Sequence, residues 1–194
     1  GRALMMLRFL SANPLTRGML SLLYRPRKKL TVKCFGQTYK HPFGNAAGLD
    51  KRAEALRGWE AIGLSFIEIG GVTEHEQEGN PKPRMFRASS SLSLVNRMGF
   101  NNPGSVKVAS KLKHHFSRHG SPNIPLWANL GKSKITPLDE APSDYAATMD
   151  RLWEYCDTFV INVSSPNTPN LRELQHDDDL ESAVSYTHLR AHET

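Results

Sequence analysis

Three short polar clusters along the chain offer side chains that bind planar or anionic ligands. At 46–51 the sequence reads AAGLDK, and its small residues let a flat ring or a phosphate approach the backbone while Lys51 adds a cation. At 96–102 the sequence reads NRMGFNN, which presents amides suited to a planar imide or a carboxylate. Asn129 forms the third cluster, followed by Gly131 and Lys132. Taken singly, each cluster is also explained by a polar turn.

A fourth cluster, at 162–172, reads NVSSPNTPNLR and combines hydroxyls and amides with two prolines. Its stiffness favours a preorganised site. Serine is a poor base near neutral pH, so Ser165 would act only if desolvated, hydrogen-bonded, or linked through water or Thr168 to a proton acceptor. A structural serine turn is the alternative interpretation of this cluster.

The elements that must position these clusters alternate between short apolar runs and helical patterns, as in β/α units. Helices are predicted around 53–62, 103–118 and 144–155, with Ser143 capping the last. A long excursion, 71–102, carries a predicted hairpin at 84–95. Predicted strands lie at 43–49, 66–70, 125–130 and 158–163. The polar clusters fall mainly at the carboxyl ends of these strands, where (β/α)8 barrels place their active sites.

The N-terminal segment is basic and apolar. Nine Lys or Arg residues precede Asp50, the first acidic residue. Two apolar patches, at 4–10 and 19–24, flank Asn13-Pro14 and predict two short amphipathic helices followed by a basic run, as in an interfacial membrane element. Neither patch approaches the roughly 20 apolar residues that span a bilayer. A surface helical hairpin packed on its own domain and a transit sequence are the alternatives.

The cysteines and histidines give no metal or disulfide pattern. Cys34 and Cys156 are isolated and are predicted to be reduced structural thiols. His115 and His119 lie four residues apart, but the glutamate of a zinc motif is missing, so we predict no metal site. Residues 185–194 break off an acidic helix start at 177–183 and are predicted to be a non-native tail.

Five motifs in order resemble the family of dihydroorotate dehydrogenases, in its membrane-associated, quinone-dependent class. They are AAGLDK at 46–51, IEIGGVT at 67–73, NRMGFNN at 96–102, NLGKS at 129–133 and INVSSPNTPNLREL at 161–174. The resemblance implies an α/β fold, a (β/α)8 TIM barrel that holds FMN. It implies oxidation of dihydroorotate to orotate, with FMN reoxidised by a quinone, in pyrimidine biosynthesis.

The same resemblance assigns roles to residues at matching motif positions. Ser165 would be the catalytic base that removes the C5 proton, where related classes have cysteine. Substrate-binding residues would be Lys51, Asn96, Arg97, Met98, Gly99, Phe100, Asn162 and Asn167. Residues lining FMN would be Ala47, Gly48, Lys51, Asn129, Asn162 and Gly71, which stands where the family commonly has threonine.

The resemblance also implies a domain organisation. Residues 1–29 would guide quinone from an anionic membrane surface, and 30–184 would form about the first four β/α units of the barrel. The expected location is peripheral, on the cytoplasmic face of a bacterial inner membrane or alternatively on the mitochondrial inner membrane, with no nucleic-acid partner. The family's later flavin-contacting lysine, Asn-Thr segment and Gly-rich phosphate loop have no counterpart before residue 194, so we expect an inactive fragment.

Two other functional classes remain open. One is a related FMN barrel, such as a soluble dihydroorotate dehydrogenase or a dihydropyrimidine dehydrogenase domain, which Ser165 and the basic N-terminal segment disfavour. The other is a non-catalytic membrane-binding module built on the same half-barrel.

Overall fold

The fold was analysed in a computed structural model of the chain, which describes residues 2–24, 26–28, 30–164, 171–175, 181 and 185. Two single-turn 3-10 helices lie at Ser89–Ser91 and Leu171–Gln175. The remaining elements, in chain order, are α1 (Arg2–Ala12), α2 (Pro14–Tyr24), β1 (Val32–Cys34), β2 (Gln37–Tyr39), α3 (Leu56–Ala61), β3 (Ile67–Val72), β4 (Met85–Ala88), β5 (Ser93–Asn96), α4 (Ser105–His119), β6 (Leu126–Gly131), α5 (Ala141–Leu152) and β7 (Thr158–Asn162).

A parallel sheet in the order β3, β6, β7 forms the frame. Ile67 lies opposite Leu126, and Asn129 lies opposite Val160. Side chains alternate across a strand, so Ile67 and Ile69, both fully buried, share one side of β3 while Glu68 lies on the other. The apolar side of the sheet packs in the same core as α3, α4 and α5, through side chains such as Leu56, Val108, Leu112, Met149 and Leu152.

The strands and the hairpin were largely predicted correctly. The strands at 66–70, 125–130 and 158–163, the helix at 103–118 and the hairpin at 84–95 all occur, with ends shifted by a few residues. The strand predicted at 43–49 is wrong, because the structure has only one parallel bridge there, between Asn45 and Ile67. Gly44 lies within the run and Gly48 has a φ of 92°, and both disfavour a regular ladder.

Two helix predictions also need correction. The helix predicted around 53–62 is confined to Leu56–Ala61, because Ala53 has a φ of 51° and lies outside it. The helix predicted at 144–155 corresponds to α5, which begins at Ala141. Ser143 therefore lies inside the first turn of α5 and does not cap the helix. The Ser143 hydroxyl instead donates to the carbonyl oxygen of Glu140 at 2.7 Å.

The amino ends of the strands are closed by aromatic rings. Trp127 stacks on Phe66 with ring centroids 4.5 Å apart, and Phe35 and Tyr39 of the β1–β2 hairpin meet the Trp127 ring edge to face. This packing buries apolar area where the strands begin. The opposite, carboxyl ends are thereby left for polar side chains.

The two predicted N-terminal helices are present and break at Asn13. Leu7 packs against Gly58 of α3, where a Cβ atom would lie 2.6 Å from Leu7 Cγ. Phe9, Leu15 and Leu23 are each more than 70% exposed. Of the helices that the structure describes, none has the length and hydropathy needed to cross a membrane.

Candidate active site at the carboxyl ends of the strands

A chain of hydrogen bonds links Glu68 near the start of β3, Asn129 within β6 and Asn162 at the end of β7. The Asn129 side-chain amide donates to Glu68 Oε1 at 3.0 Å, and the Asn162 amide donates to Asn129 Oδ1 at 3.1 Å. The Ala47 backbone N–H donates to Glu68 Oε2 at 3.1 Å. Ser164 ends the chain, since its N–H and hydroxyl both donate to Asn162 Oδ1. We call this series from Ala47 to Ser164 the amide chain.

The carboxylate of Glu68 gives the amide chain its direction. An ionised carboxylate only accepts hydrogen bonds, so Asn129 must turn its nitrogen toward Glu68 and its oxygen toward Asn162. The Asn162 oxygen is in turn directed toward Ser164. The amide chain therefore holds two strand-end amides in one orientation, which a site for a planar ring requires.

The turn at Ala47 and Gly48 lies beside this chain. Gly48 N–H donates to the carbonyl oxygen of Gly70 at 2.6 Å, which binds the turn to the end of β3. A Cβ atom on Gly48 would meet nothing within 4 Å, so the backbone there faces open space. A flat ligand can approach such a surface closely.

Lys51 is held at the edge of the same region by Asp50 and by the loop before α4. Asp50 is fully buried and accepts hydrogen bonds from the backbone of Glu54 and Ala55 and from the Trp59 indole. Lys51 Nζ donates to Asn101 Oδ1 at 3.0 Å. Burial, and then the nearby charge of Arg84, lower the pKa of Lys51 below its ordinary value.

Phe100 lies over two glycines of the sheet. A Cβ atom on Gly71 would lie 2.4 Å from Phe100 Cε1, and one on Gly131 would lie 2.7 Å from the same atom. The ring therefore occupies space that side chains at 71 and 131 would otherwise fill. Phe100 has a φ of 52°, so its backbone is in the left-handed region that non-glycine residues seldom adopt.

The other residues predicted to bind substrate at 96–99 are held by the hairpin rather than by the amide chain. The Arg97 guanidinium donates to the carbonyl oxygen of Pro83, and the Met98 N–H donates to Asn96 Oδ1. Gly99 packs closely against Asn80. In the described contacts these residues are therefore near the hairpin, and their approach to the strand ends stays a prediction.

Asn102 anchors the end of that loop to β3. It is buried and accepts hydrogen bonds from the backbone N–H groups of Thr73 and Gly104, while its amide donates to the carbonyl oxygen of Phe100. Ser165 and Asn167 lie outside the described residues, so their predicted roles are untested.

Three residues that bear on the site were not predicted from the sequence, namely Asp50, Glu68 and Asn102. A signal existed for Glu68, because it is an acidic residue between two isoleucines of a strand, on the side opposite to the core. Asp50 accepts from the N–H groups of Glu54 and Ala55, four and five residues later, which lie just before the first residue of α3. Asn102 could not be distinguished from its neighbours in an asparagine-rich run.

In the described part of the chain, one group of side chains could hold a metal ion. It consists of Glu74, His75 and Asp144, whose ligand atoms lie within 4.8 Å of one another. Its carboxylates already have partners. Glu74 Oε1 accepts from Arg151 at 3.2 Å, and Asp144 accepts from the Ser133 N–H and the Thr136 hydroxyl. We therefore propose no metal there, and the absence of a metal site stays a prediction.

A parallel sheet with its apolar side against helices, and with oriented polar groups at its carboxyl ends, fits the class of α/β TIM-barrel enzymes. The sequence model of the family described as dihydroorotate dehydrogenase matches residues 29–193. The chain belongs to the dihydroorotate dehydrogenase family, a family of oxidoreductases of pyrimidine biosynthesis.

Curated relatives and a solved structure agree with this assignment. A dihydroorotate dehydrogenase (quinone) of Gloeobacter violaceus is 50% identical over 155 residues, which are 80% of this chain and 42% of that protein. One from Thermus thermophilus is 45% identical over 186 residues, 95% of this chain and 53% of the relative. The crystal structure of an Eimeria tenella dihydroorotate dehydrogenase in complex with ferulenol matches with a TM-score of 0.80 at 34% identity, covering 98% of this chain and 50% of that one. The chain thus spans about half the length of the curated relatives that it matches.

Proposed function

We propose that the protein to which this chain corresponds oxidises dihydroorotate to orotate, with FMN as cofactor and a quinone as electron acceptor. The observation that carries the proposal is the amide chain, because it presents oriented amides beside the bare backbone of Gly48. The names of the relatives support the substrate and the quinone. On this proposal the described half supplies one side of the active site.

The described residues fit a flat, hydrogen-bonding cofactor. Gly48 offers a bare backbone surface, and Asn129 and Asn162 offer fixed amides next to it. FMN, when bound, would accept the hydride that leaves the substrate. We propose that Ala47, Gly48, Lys51, Gly71, Asn129 and Asn162 line it. With glycine at 71, no side-chain hydroxyl is available from that position.

We propose that Lys51 binds the carboxylate of the substrate. Its ammonium group donates to the carbonyl and amide oxygens of Asn101, and this preference for oxygen acceptors supports the proposal. Residues 96–100 together with Asn162 and Asn167 would orient the ring of the substrate by hydrogen bonds. Ser165 would remove the C5 proton, and its neighbour Ser164 is held by Asn162 at the start of that loop.

We propose that the exposed apolar faces of α1 and α2 contact an anionic membrane surface, from which the quinone is drawn. Their exposed side chains include Met5, Phe9, Leu15, Leu22 and Leu23. Basic residues follow α2 directly, as is typical of interfacial helices. A peripheral location on the cytoplasmic face of a bacterial inner membrane is the form we favour, with the mitochondrial inner membrane as the alternative.

The same apolar faces favour one second candidate, a membrane-binding module without catalysis. The two candidates are distinguished by flavin. The first measurement is the visible absorbance of the purified chain, alone and with the C-terminal half of a relative supplied in trans, followed by addition of dihydroorotate under anaerobic conditions.

We expect colour and bleaching by dihydroorotate when both halves are present. A Ser165→Ala variant of the chain should then retain the flavin spectrum but lose most of the bleaching, because only the base is removed. Vesicle binding with no flavin uptake under any condition would refute the enzymatic proposal and leave the membrane-binding module.

A further inference from the structure

A polar pocket of about 200 Å³ lies between α2, α3 and the C-terminal end of α4, away from the strand ends. Four basic side chains from these three helices line it, namely Arg17, Arg57, His115 and His119. One acidic side chain, Glu60, also lines it, and Asn123 donates to Glu60 Oε1 at 2.5 Å. None of these residues belongs to the five motifs from which the enzymatic function is proposed, although Arg17 lies in α2, one of the two helices proposed to contact a membrane.

Arg17 lines the pocket and has one guanidinium nitrogen that is buried. Its Nη1 atom is buried and has no hydrogen-bond partner among the described residues. A buried donor without a partner costs free energy, and more so when it is charged.

The other basic residues contact one another. Arg57 Nη1 lies 3.3 Å from His119 Nδ1, and the rings of His115 and His119 have centroids 5.1 Å apart. For that arginine to donate, His119 Nδ1 must be unprotonated. Burial, then the charges of His119 and His114, lower the pKa of His115, as expected where cationic groups crowd together.

We propose that this pocket binds a phosphate-type oxyanion. Arginine forks match the oxygens of phosphate and donate more than one hydrogen bond to them. The space far exceeds the roughly 30 Å³ share of one water molecule, so it admits a tetrahedral ion and part of a group that carries it. Glu60 also lines the pocket and accepts a hydrogen bond from Asn123. Because two arginines and one carboxylate line the pocket, its net charge is positive.

Two sources supply this chemistry. One is a soluble phosphate or phosphate ester, and the other is a phospholipid headgroup. The second source is suggested by α2, which places Arg17 toward the pocket while Leu15 and Leu23 of the same helix are 79% and 74% exposed.

The test for binding is an NMR titration of the chain labelled in its histidine rings, with inorganic phosphate added at constant ionic strength. We expect saturable shifts of the His115 and His119 signals, assigned with His115→Gln and His119→Gln. Arg17→Gln and Arg57→Gln should each weaken binding by about tenfold, as loss of a charge-assisted contact implies. Arg118→Gln is the matched control, because Arg118 is an exposed residue of the same end of α4 that does not line the pocket.

Vesicles of phosphatidylglycerol distinguish the sources. If Arg17→Gln lowers vesicle binding well below Arg118→Gln, and inorganic phosphate competes, the ligand is a headgroup. If the two variants bind vesicles equally but differ in phosphate affinity, the ligand is soluble. Equal phosphate affinity of the Arg17, Arg57 and Arg118 variants, with circular dichroism unchanged, would overturn the proposal, as would linear, unsaturated shifts. Because no flavin is involved, this result is independent of the proposed enzymatic function.

Discussion

Replacement of Glu68 by glutamine tests whether a carboxylate directs the amide chain. The carboxylate accepts from the Ala47 N–H at 3.1 Å and from the Asn129 amide at 3.0 Å. A glutamine can accept from only one of these donors, because its other terminal atom is itself a donor. If the Asn129 amide rotates so that its oxygen accepts from the glutamine, its nitrogen faces the nitrogen of Asn162. Two donors then face each other at the next position of the amide chain.

The expected loss of stability for Glu68→Gln is about 2 kcal/mol. A hydrogen bond to a charged group contributes about 1.5–3 kcal/mol, and the incomplete burial of Glu68 places the loss in the lower part of that range. Urea unfolding, followed by circular dichroism, measures this difference. The affinity for FMN of the chain combined with the C-terminal half of a relative, measured by quenching of flavin fluorescence, should also fall. If the free energy of FMN binding is weakened by about 1.4 kcal/mol, the affinity falls about tenfold.

Glu76→Gln is the matched control for this experiment. Glu76 forms an ion pair with Lys107, and the two side chains are 57% and 62% exposed, so removal of the charge should change stability by less than about 0.5 kcal/mol. If Glu68→Gln is as mild as this control and leaves flavin affinity unchanged, Glu68 does not direct the amides, and our account of the site is wrong.

Three further predictions follow from the same region. Asp50→Ala should destabilise the chain by about 3 kcal/mol in urea, because it leaves two backbone N–H groups and an indole without an acceptor; a loss below about 1 kcal/mol would contradict this. Because burial and Arg84 lower the pKa of Lys51, its positive charge is lost at a lower pH than that of an ordinary lysine, so the KM for dihydroorotate should rise as pH increases through that pKa. A Lys51→Met variant should show a high KM without this dependence, and a wild-type KM independent of pH would exclude Lys51 as the carboxylate ligand. Gly71→Thr should cost about 1–3 kcal/mol because its Cβ would meet the ring of Phe100; Phe100→Leu should recover most of that loss in a double-mutant cycle, and additive losses would show that the two positions are uncoupled.

The strands and the long helices were predictable because their apolar residues recur with the period of the element. Ile67 and Ile69 alternate with polar or small residues, and both are fully buried. The segment at 43–49 was misassigned because apolar content alone does not form a ladder. Only Asn45 bridges β3 there, by a backbone bridge together with a side-chain amide that donates to the carbonyl oxygen of Glu68 at 2.8 Å.

The residue types of the candidate site were predictable from the sequence, but the hydrogen bonds that join them were not. Asparagines at strand ends were predicted from the sequence to bind planar groups, and this role stays a prediction. Their orientation depends on Glu68, which lies 61 residues from Asn129 in the chain. Local patterns carry no information on such a contact, because it is created by the register of β3 against β6.

Because the amide chain includes Asn162 of β7, ligand binding should depend on how well β7 is packed. All five residues of β7 are only half buried, whereas β6 has three residues that are at most 1% exposed. Asn162 belongs to β7, and both its amide and its oxygen are used in the chain to Ser164. Any interaction that packs against β7 therefore also fixes the amide next to Ser164 and lowers the entropic cost of orienting it. Flavin binding and the covering of β7 should then be thermodynamically coupled, so that each strengthens the other.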